Sequence, residues 1–395
     1  MTPDVRSHRM KSDILDIYWR LCQYPWHGIV NVAIAGACYA LSLRIHLASR
    51  IAQACGASAR SRCFVEHPVF CYIGDILAGY IAISILVVLL SLPVLLNKGI
   101  GFNVLGYSFF FWLVFFPAHL AVLSGGVPLS LAWRAALLTT SLGLLAVACL
   151  SLFYFPFAFR TRSVTIHTRH VRAPFRIIQL ADLQAERYGT REQQLVARVN
   201  AAKPDLVLIS GDLFCRPLAY NQAGFRASLR VLEELKAKHG IFFVEGHHDQ
   251  GAAAAVLAET RVKARFLRDE WVDVDAEGVA ISVFGTSLES EDHGFRQRRR
   301  GATFTIYLAH GPVNRNVFTD GSCDLALFGH THAGQVYLPV LSRWLCGPYR
   351  HGEFDLNGMK LIVNSGIGTE GHLSPRIRWF TWPEIVVIDL ETEDG

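Results

Sequence analysis

Residues 205–212 read DLVLISGD, and the segments 176-RIIQLADLQ-184 and 241-IFFVEGHHD-249 repeat its form. Each is a short apolar run, rich in Ile, Leu, Val or Phe, that ends abruptly in Gly, Asp or His. Runs of this length bounded by turn-forming residues read as buried strands. Between them lie 191-REQQLVARVNAA-202 and 225-FRASLRVLEELKAKHG-240, which carry apolar residues at helical spacing, the second with a glycine stop. Strands alternating with helices imply βαβ units and a parallel sheet. Further on, VAISVFGTS (279–287), TFTIYLAHGP (303–312), CDLALFGHTH (323–332), QVYLPV (335–340), KLIVNSG (360–366) and EIVVIDL (384–390) are nearly all strand with short links. The expected domain spans 176–392, an α/β unit with a second strand-rich portion, large enough for two packed sheets.

The other half of the chain has a different character. Residues 1–160 hold 11 Lys+Arg and 5 Asp+Glu, a balance of +6, whereas 161–395 hold 27 and 28, a balance of −1. No Asp, Glu, Lys or Arg occurs from Ile76 to Asn97, from Gly99 to Trp133, or from Ala135 to Phe159. A bilayer-spanning helix needs about 20 predominantly apolar residues, so each window is long enough. A fourth window, Leu21 to Leu43, is uncharged but carries Gln23, Pro25, His27 and Asn31. It reads as a span, with a surface-lying helix as the alternative. The expectation is an N-terminal transmembrane α-helical region over 1–160, with helices near 25–47, 76–97, 103–124 and 135–158. A basic juxtamembrane linker, 161–175, would follow. A high hydrophobic content of 51% excludes a disordered chain, and the near-neutral C-terminal half argues against nucleic acid as a partner.

Lys and Arg near span ends set orientation. With four spans, Arg6, Arg9, Lys11, Arg20, Lys98, Arg160, Arg162, Arg169, Arg172 and Arg176 face one side, and Arg44, Arg50, Arg60, Arg62 and Arg134 the other. That bias puts both termini and the large domain in the cytoplasm, and the protein in the inner (plasma) membrane as a multi-pass chain. With three spans the domain moves outside. The basic exit segment and a second run, Arg296 with Arg298 to Arg300, are candidate contacts to anionic headgroups or phosphate, the second reading better as a solvated loop. Cys215, Cys323 and Cys346 lack CxxC spacing, so zinc-ribbon and thioredoxin-like readings fail.

Polar residues of the C-terminal half gather just past strand ends: Asp182, Asp212, His247, His248, Asp249, His310, His330 and His332. In open α/β sheets these ends build the ligand crevice. Any one such residue reads as a cap, a turn former or a surface side chain. Together they make a mixed oxygen and nitrogen donor set, suited to Mn, Fe or Zn more than Ca or Mg. A pair of such ions clamps the attacking and leaving oxygens of a phosphoryl centre.

The order Asp182-x-Gln184, Gly211-Asp212, Gly246-His247-His248-Asp249, His310, Gly329-His330-Thr331-His332 resembles the calcineurin-like metallophosphoesterase superfamily. That family's pattern runs D-x-H, G-D, G-N-H-(D/E), H, G-H-x-H. The segments GHTHAGQVYLP (329–339), NSGIGTEG (364–371) and PEIVVIDL (383–390) resemble a bacterial membrane-associated subgroup of it. The resemblance implies two packed mixed β-sheets flanked by helices, and two divalent metal ions, manganese foremost, with iron or zinc as alternatives. It makes Asp182 and His332 ligands of the first ion, Asp212 the shared carboxylate, and His310 and His330 ligands of the second. His248 would stabilise phosphate charge or protonate the leaving oxygen, with Asp249 orienting its ring.

Two positions depart from the pattern. Gln184 stands where the family has a ligating His, and His247 where it has Asn. A glutamine oxygen is a weaker neutral donor, so the first ion is expected to be held less tightly, and His247 can strengthen the second site. The implied reaction is in-line attack of a metal-activated hydroxide on phosphorus. Tethering to the bilayer together with the family resemblance directs the expected substrate toward a lipid-linked phosphodiester or pyrophosphate such as UDP-2,3-diacylglucosamine, the substrate of membrane-associated relatives of this type. A broad-specificity phosphodiesterase or phosphomonoesterase, and a catalytically weakened membrane scaffold, are the alternatives.

Overall fold

The computed structural model describes residues 130–214, 222–249, 264–276, 278–288, 290, 303–311, 323–337, 349–356, 358–370 and 376–393, together with 113, 114, 116–118 and 121. The helices expected at 25–47 and 76–97, most of the one at 103–124, and the Arg296–Arg300 run lie outside these residues.

Helix α1 (Leu131–Cys149) starts at Ser130, whose Oγ accepts from the Trp133 amide at 3.5 Å. It continues through Leu150–Tyr154 and Phe155–Phe157, a 27-residue helical stretch long and apolar enough to cross a membrane. Three of its hydroxyls bond carbonyls one turn back. Thr140, Ser141 and Ser151 donate to the carbonyls of Ala136, Leu137 and Val147 at 2.8–2.9 Å.

The remaining elements form two six-stranded mixed sheets. In chain order they are β1 (Arg160–Thr168), β2 (Phe175–Leu180), α2 (Thr190–Ala201), β3 (Leu206–Ile209), α3 (Gln222–Glu234), β4 (Ile241–Phe243) and β5 (Ala264–Phe266). There follow β6 (Glu270–Ala276), β7 (Val279–Gly285), β8 (Phe304–Leu308), β9 (Leu325–Phe328), β10 (Gly352–Leu356), β11 (Met359–Val363) and β12 (Glu384–Thr392). One sheet has the order β1-β12-β2-β3-β4-β5, the other β10-β11-β9-β8-β7-β6. β2, β3, β4 and β5 run parallel, as do β7, β8, β9 and β11.

Burial on both faces explains the continuous apolar runs. Ile177, Leu206, Leu208, Ile306, Leu327 and Ile362 pack in the layer between the sheets, while Ile178, Val207 and Ile209 face Leu195, Val199, Val231 and Leu232 of the two helices. Burying a Val, Leu or Ile side chain contributes about 1.5–3 kcal/mol, so these layers dominate the stability of the fold.

Residues 161–168 of the expected basic linker, together with Arg160, form β1, which pairs along its length with β12. Three of the five exit-segment cations are engaged by the domain itself. Arg162 pairs with Glu384 at 3.1 Å, Arg176 holds Asp389 through two bonds of 2.7 and 3.1 Å, and the Arg160 guanidinium lies 3.2 Å from the Trp382 ring centre. These partners lie more than 200 residues along the chain, beyond the reach of a local charge count.

Candidate functional site

Parallel strands of both sheets end at one place. Asp182 follows β2, Asp212 follows β3, His247 to Asp249 follow β4, His310 follows β8, and His330 and His332 follow β9. Backbone bonds tie these ends together. Asp182 N donates to Gly211 O at 3.0 Å, Gln184 N to Asp212 O at 3.1 Å, Gly329 N to His310 O at 2.9 Å, and Gly368 N to Asp182 O at 2.6 Å.

Asp182, Gln184, Asp212, His330 and His332 all have positive φ, between 40° and 66°. For a residue with a Cβ this left-handed conformation costs about 1–2 kcal/mol. Strain of that kind persists only where the surrounding structure over-determines it, and it gathers at functional sites. Here it turns each side chain off its strand axis and into the shared crevice. Gly246 makes room for the result: a Cβ there would sit 2.7 Å from Asp212 Cγ.

Three overlapping donor groups result. Ligand atoms of His247, His310 and His330 lie within 4.8 Å of one another, as do those of Asp182, Asp212 and His310, and those of Asp212, His248 and Glu370. His310 Nε2 is 3.4 Å from Asp212 Oδ2, and His332 Nε2 is 4.0 Å from Asp182 Oδ1. The three imidazoles of the first group pack with ring centres 4.7–5.1 Å apart.

The electrostatics are those of a cation site. Burial pushes the Asp182 carboxyl well above its ordinary range; His310 opposes the rise and Asp212 adds to it. Burial acts on Asp212 in the same sense, but His310 and His248 outweigh it and hold that carboxyl low. Burial also drives His332 down to about 3, keeping its imidazole neutral with a lone pair to offer. Buried carboxylates among neutral imidazoles are costly by themselves and become favourable around a positive ion. The buried Gln184 Oε1, without a hydrogen-bond partner among the described residues, fits the same group. The donor set therefore suits divalent metal ions.

One sequence expectation changes here. The Asp249 carboxylate does not reach the His248 ring; it accepts from the amides of Leu213, Phe214 and Gly246 at 3.0–3.1 Å. It thereby braces the turn that carries Asp212, and burial followed by the charge of Asp212 pushes it up to about 7. The carboxylate facing His248 Nε2 is instead Glu370, at 2.6 Å. Glu370 lies within the NSGIGTEG segment, but no motif spacing distinguishes it. Its backbone is gripped on both sides by the Gln335 side chain, through N–H to Oε1 at 2.7 Å and Nε2 to C=O at 2.9 Å.

Arg378 is equally unreadable from sequence. It is fully buried and donates to the carbonyls of Ser365, Gly366 and Gly368, the loop backing Asp182 and Gln184. Burial lowers its pKa to about 9.

A family model described as calcineurin-like phosphoesterase matches residues 175–334. The chain is similar to the uncharacterized metallophosphoesterase YkuE of Bacillus subtilis (strain 168), 28% identical over 232 residues, covering 55% of this chain and 79% of that one. It is similar to the phosphodiesterase YaeI of Escherichia coli (strain K12), 26% identical over 235 residues, covering 55% and 83%. It also resembles a Bos taurus protein named as a transmembrane protein with a metallophosphoesterase domain, 26% identical over 193 residues and 42% of each chain. The match thus spans under half the length of that bovine relative.

Proposed function

Because the chain carries a calcineurin-like phosphoesterase domain and is on that account a hydrolase, we propose that it cleaves a phosphodiester or pyrophosphate bond of a lipid-linked substrate at a membrane surface. The observation that carries the reaction is the convergence of Asp182, Asp212, His310, His247 and His330 from strand ends of both sheets. Asp182, Gln184 and His332 would hold one divalent ion, His247, His310 and His330 a second, with Asp212 shared between them. Bound there, the ions supply the positive charge that makes water acidic and offsets charge building on the phosphoryl oxygens. Manganese suits this mixture of carboxylates and imidazoles, with iron or zinc as alternatives.

His248 is half-buried, and its Nε2 faces Glu370 at 2.6 Å. That carboxylate orients the ring, from which a proton can pass to the departing oxygen. A scaffold without chemistry has no reason to retain five strained side chains around a buried polar hole, which favours an active enzyme.

Membrane attachment draws support from the 27-residue apolar stretch Leu131–Phe157 and from the aromatic residues at its exit. Tyr154, Phe157 and Phe380 are exposed, and Trp379 and Trp382 pack around Phe155 beside them. Aromatic side chains gather at the headgroup level of membrane proteins. Setting aside Arg160, Arg162 and Arg176, which the domain engages, the remaining Lys and Arg near span ends stand seven against five and lean toward a multi-pass inner-membrane protein with its catalytic domain in the cytoplasm. A phosphodiesterase name on YaeI supports the diester reading, and UDP-2,3-diacylglucosamine has the required lipid-linked pyrophosphate.

The test is Mn²⁺-dependent hydrolysis of bis(p-nitrophenyl) phosphate by the detergent-purified full chain, followed by UDP-2,3-diacylglucosamine and its deacylated analogue. Turnover abolished by Asp212→Asn is expected, with preference for the acylated substrate. Equal rates on both would refute lipid specificity, and turnover that persists in Asp212→Asn would refute the site.

A further inference from the structure

The replacement of a ligating histidine by Gln184 leaves a question of hydrogen-bond accounting. The Gln184 amide nitrogen faces three electron-pair atoms: Glu370 Oε1 at 2.7 Å, His332 Nε2 at 3.3 Å and Asp212 Oδ2 at 3.5 Å. An NH₂ group has two hydrogens, so it serves two acceptors at most. Its own Oε1 is buried and meets no donor among the described residues. The amide is therefore badly satisfied as it stands. Rotating it by half a turn exchanges oxygen and nitrogen at almost no steric cost. That rotation would point a fourth lone pair at the other three, which is repulsive in an empty site. Around a cation the same four lone pairs converge favourably.

Glu370 is the charged member of that set. Its backbone is clamped by both ends of the Gln335 amide, and its side chain is mostly buried. Its Oε1 accepts from Gln184 and meets His248 Nε2 at 2.6 Å. Oxygen and nitrogen atoms of Asp212, His248 and Glu370 already lie within 4.8 Å of one another.

Resting on the two-ion reading above, we propose that Glu370 is a metal ligand of the first site, acting with the Gln184 carbonyl in place of the histidine this chain lacks. A carboxylate is a stronger donor for Mn²⁺ than an amide oxygen, so Glu370 restores the affinity that Gln184 forfeits. Because the same oxygen faces His248, the ligand also ties the proton-donating ring to the occupied site.

The test measures metal binding apart from turnover. The detergent-purified full chain is titrated with Mn²⁺ by calorimetry, with bound manganese counted after desalting and the spin-coupled pair followed by electron paramagnetic resonance. Wild type is expected to hold two ions. Glu370→Gln, which keeps the size of the side chain and an acceptor for His248, is expected to weaken one ion by about 10- to 100-fold and abolish the coupled signal. The double variant Gln184→His/Glu370→Gln is expected to regain the second ion, which also shows that Glu370→Gln remains folded. Manganese affinity and coupling unchanged in Glu370→Gln would overturn the proposal. So would loss of the ion in Glu370→Gln with no recovery in the double variant. Wild type that binds two ions yet hydrolyses no phosphoester would refute the proposed reaction alone, leaving the ligand assignment to the titration.

Discussion

Gly246 is the position where one methyl group should dislodge the shared carboxylate. Its φ is not in the left-handed region, so Gly246→Ala introduces a steric change without added backbone strain. The new Cβ would clash with both the Oδ1 and the backbone N of Asp212 and lie 2.7 Å from its Cγ, where ordinary contact begins at 3.4 Å. The shared carboxylate must therefore retreat by at least about 0.7 Å, and misplacement near 1 Å costs up to about 100-fold in rate. The Asp212 backbone cannot easily follow, because Gly211 and Asp212 are tied by bonds to Asp182 and Gln184. The expected outcome is a 10- to 100-fold loss of kcat, roughly, with Mn²⁺ binding weakened in parallel. Because the clash includes backbone, overpacking should also remove about 3 kcal/mol of stability or more. Gly358→Ala is the control, with φ of 86° and no atom within 4 Å of the space its new methyl would fill. It should lose about 1 kcal/mol to backbone strain and keep its activity. Phosphodiester hydrolysis, calorimetric titration and thermal melts on both variants supply the comparison. A Gly246→Ala enzyme within twofold of wild type would refute the placement of Asp212 as the shared ligand.

Three further outcomes follow from the site. Asp212→Asn should reduce Mn²⁺-dependent turnover by more than about 100-fold while the protein stays folded, because one charged oxygen is lost and the shape is kept; circular dichroism and a rate assay check both halves. A carboxyl with a raised folded pKa binds its proton more tightly folded than unfolded. Asp182 should therefore make the chelated protein lose stability as pH climbs from about 4 through neutrality. Denaturant titrations in EDTA between pH 6.5 and 8 measure this, above the range in which the buried neutral His330 and His332, each lowered to about 3, give the opposite slope; added Mn²⁺ should reverse the trend, and stability rising with pH in that window would count against the buried Asp182. Arg378→Met should cost roughly 3 kcal/mol, since three loop carbonyls lose their donor inside the protein. At about 2–4 °C per kcal/mol that is a fall of roughly 6–12 °C in Tm, and an unchanged Tm would show that the loop does not need it.

The strands are legible in the sequence because their pattern is local. β2, β3 and β4 are short apolar runs closed by Asp, Gly or His, and the polar residue after each is the one the crevice uses. Asp182, Asp212, His310, His330 and His332 can be named for that reason. Asp249 can be named but not correctly partnered, because its neighbour in sequence is His248 while its neighbours in space are three backbone amides. Glu370 and Arg378 carry no spacing signal. Each is placed by contacts with residues distant in sequence: Gln335 for the first, and the carbonyls of Ser365, Gly366 and Gly368 for the second. The exit segment misleads in the same way. Arg162 and Arg176 look like free cations until Glu384 and Asp389 of β12 are brought beside them.

Periodicity, turn chemistry and donor type reside in neighbouring residues, so an α/β domain, its strand ends and a donor set fit for metal follow from the order of amino acids. Which carboxylate meets which imidazole depends on how the two sheets converge. That geometry arises only when β2, β3 and β4 of one sheet end beside β8, β9 and β11 of the other. Only in the folded chain, therefore, does Glu370 rather than Asp249 face His248, and only there does the orphaned amide of Gln184 lie among ligands.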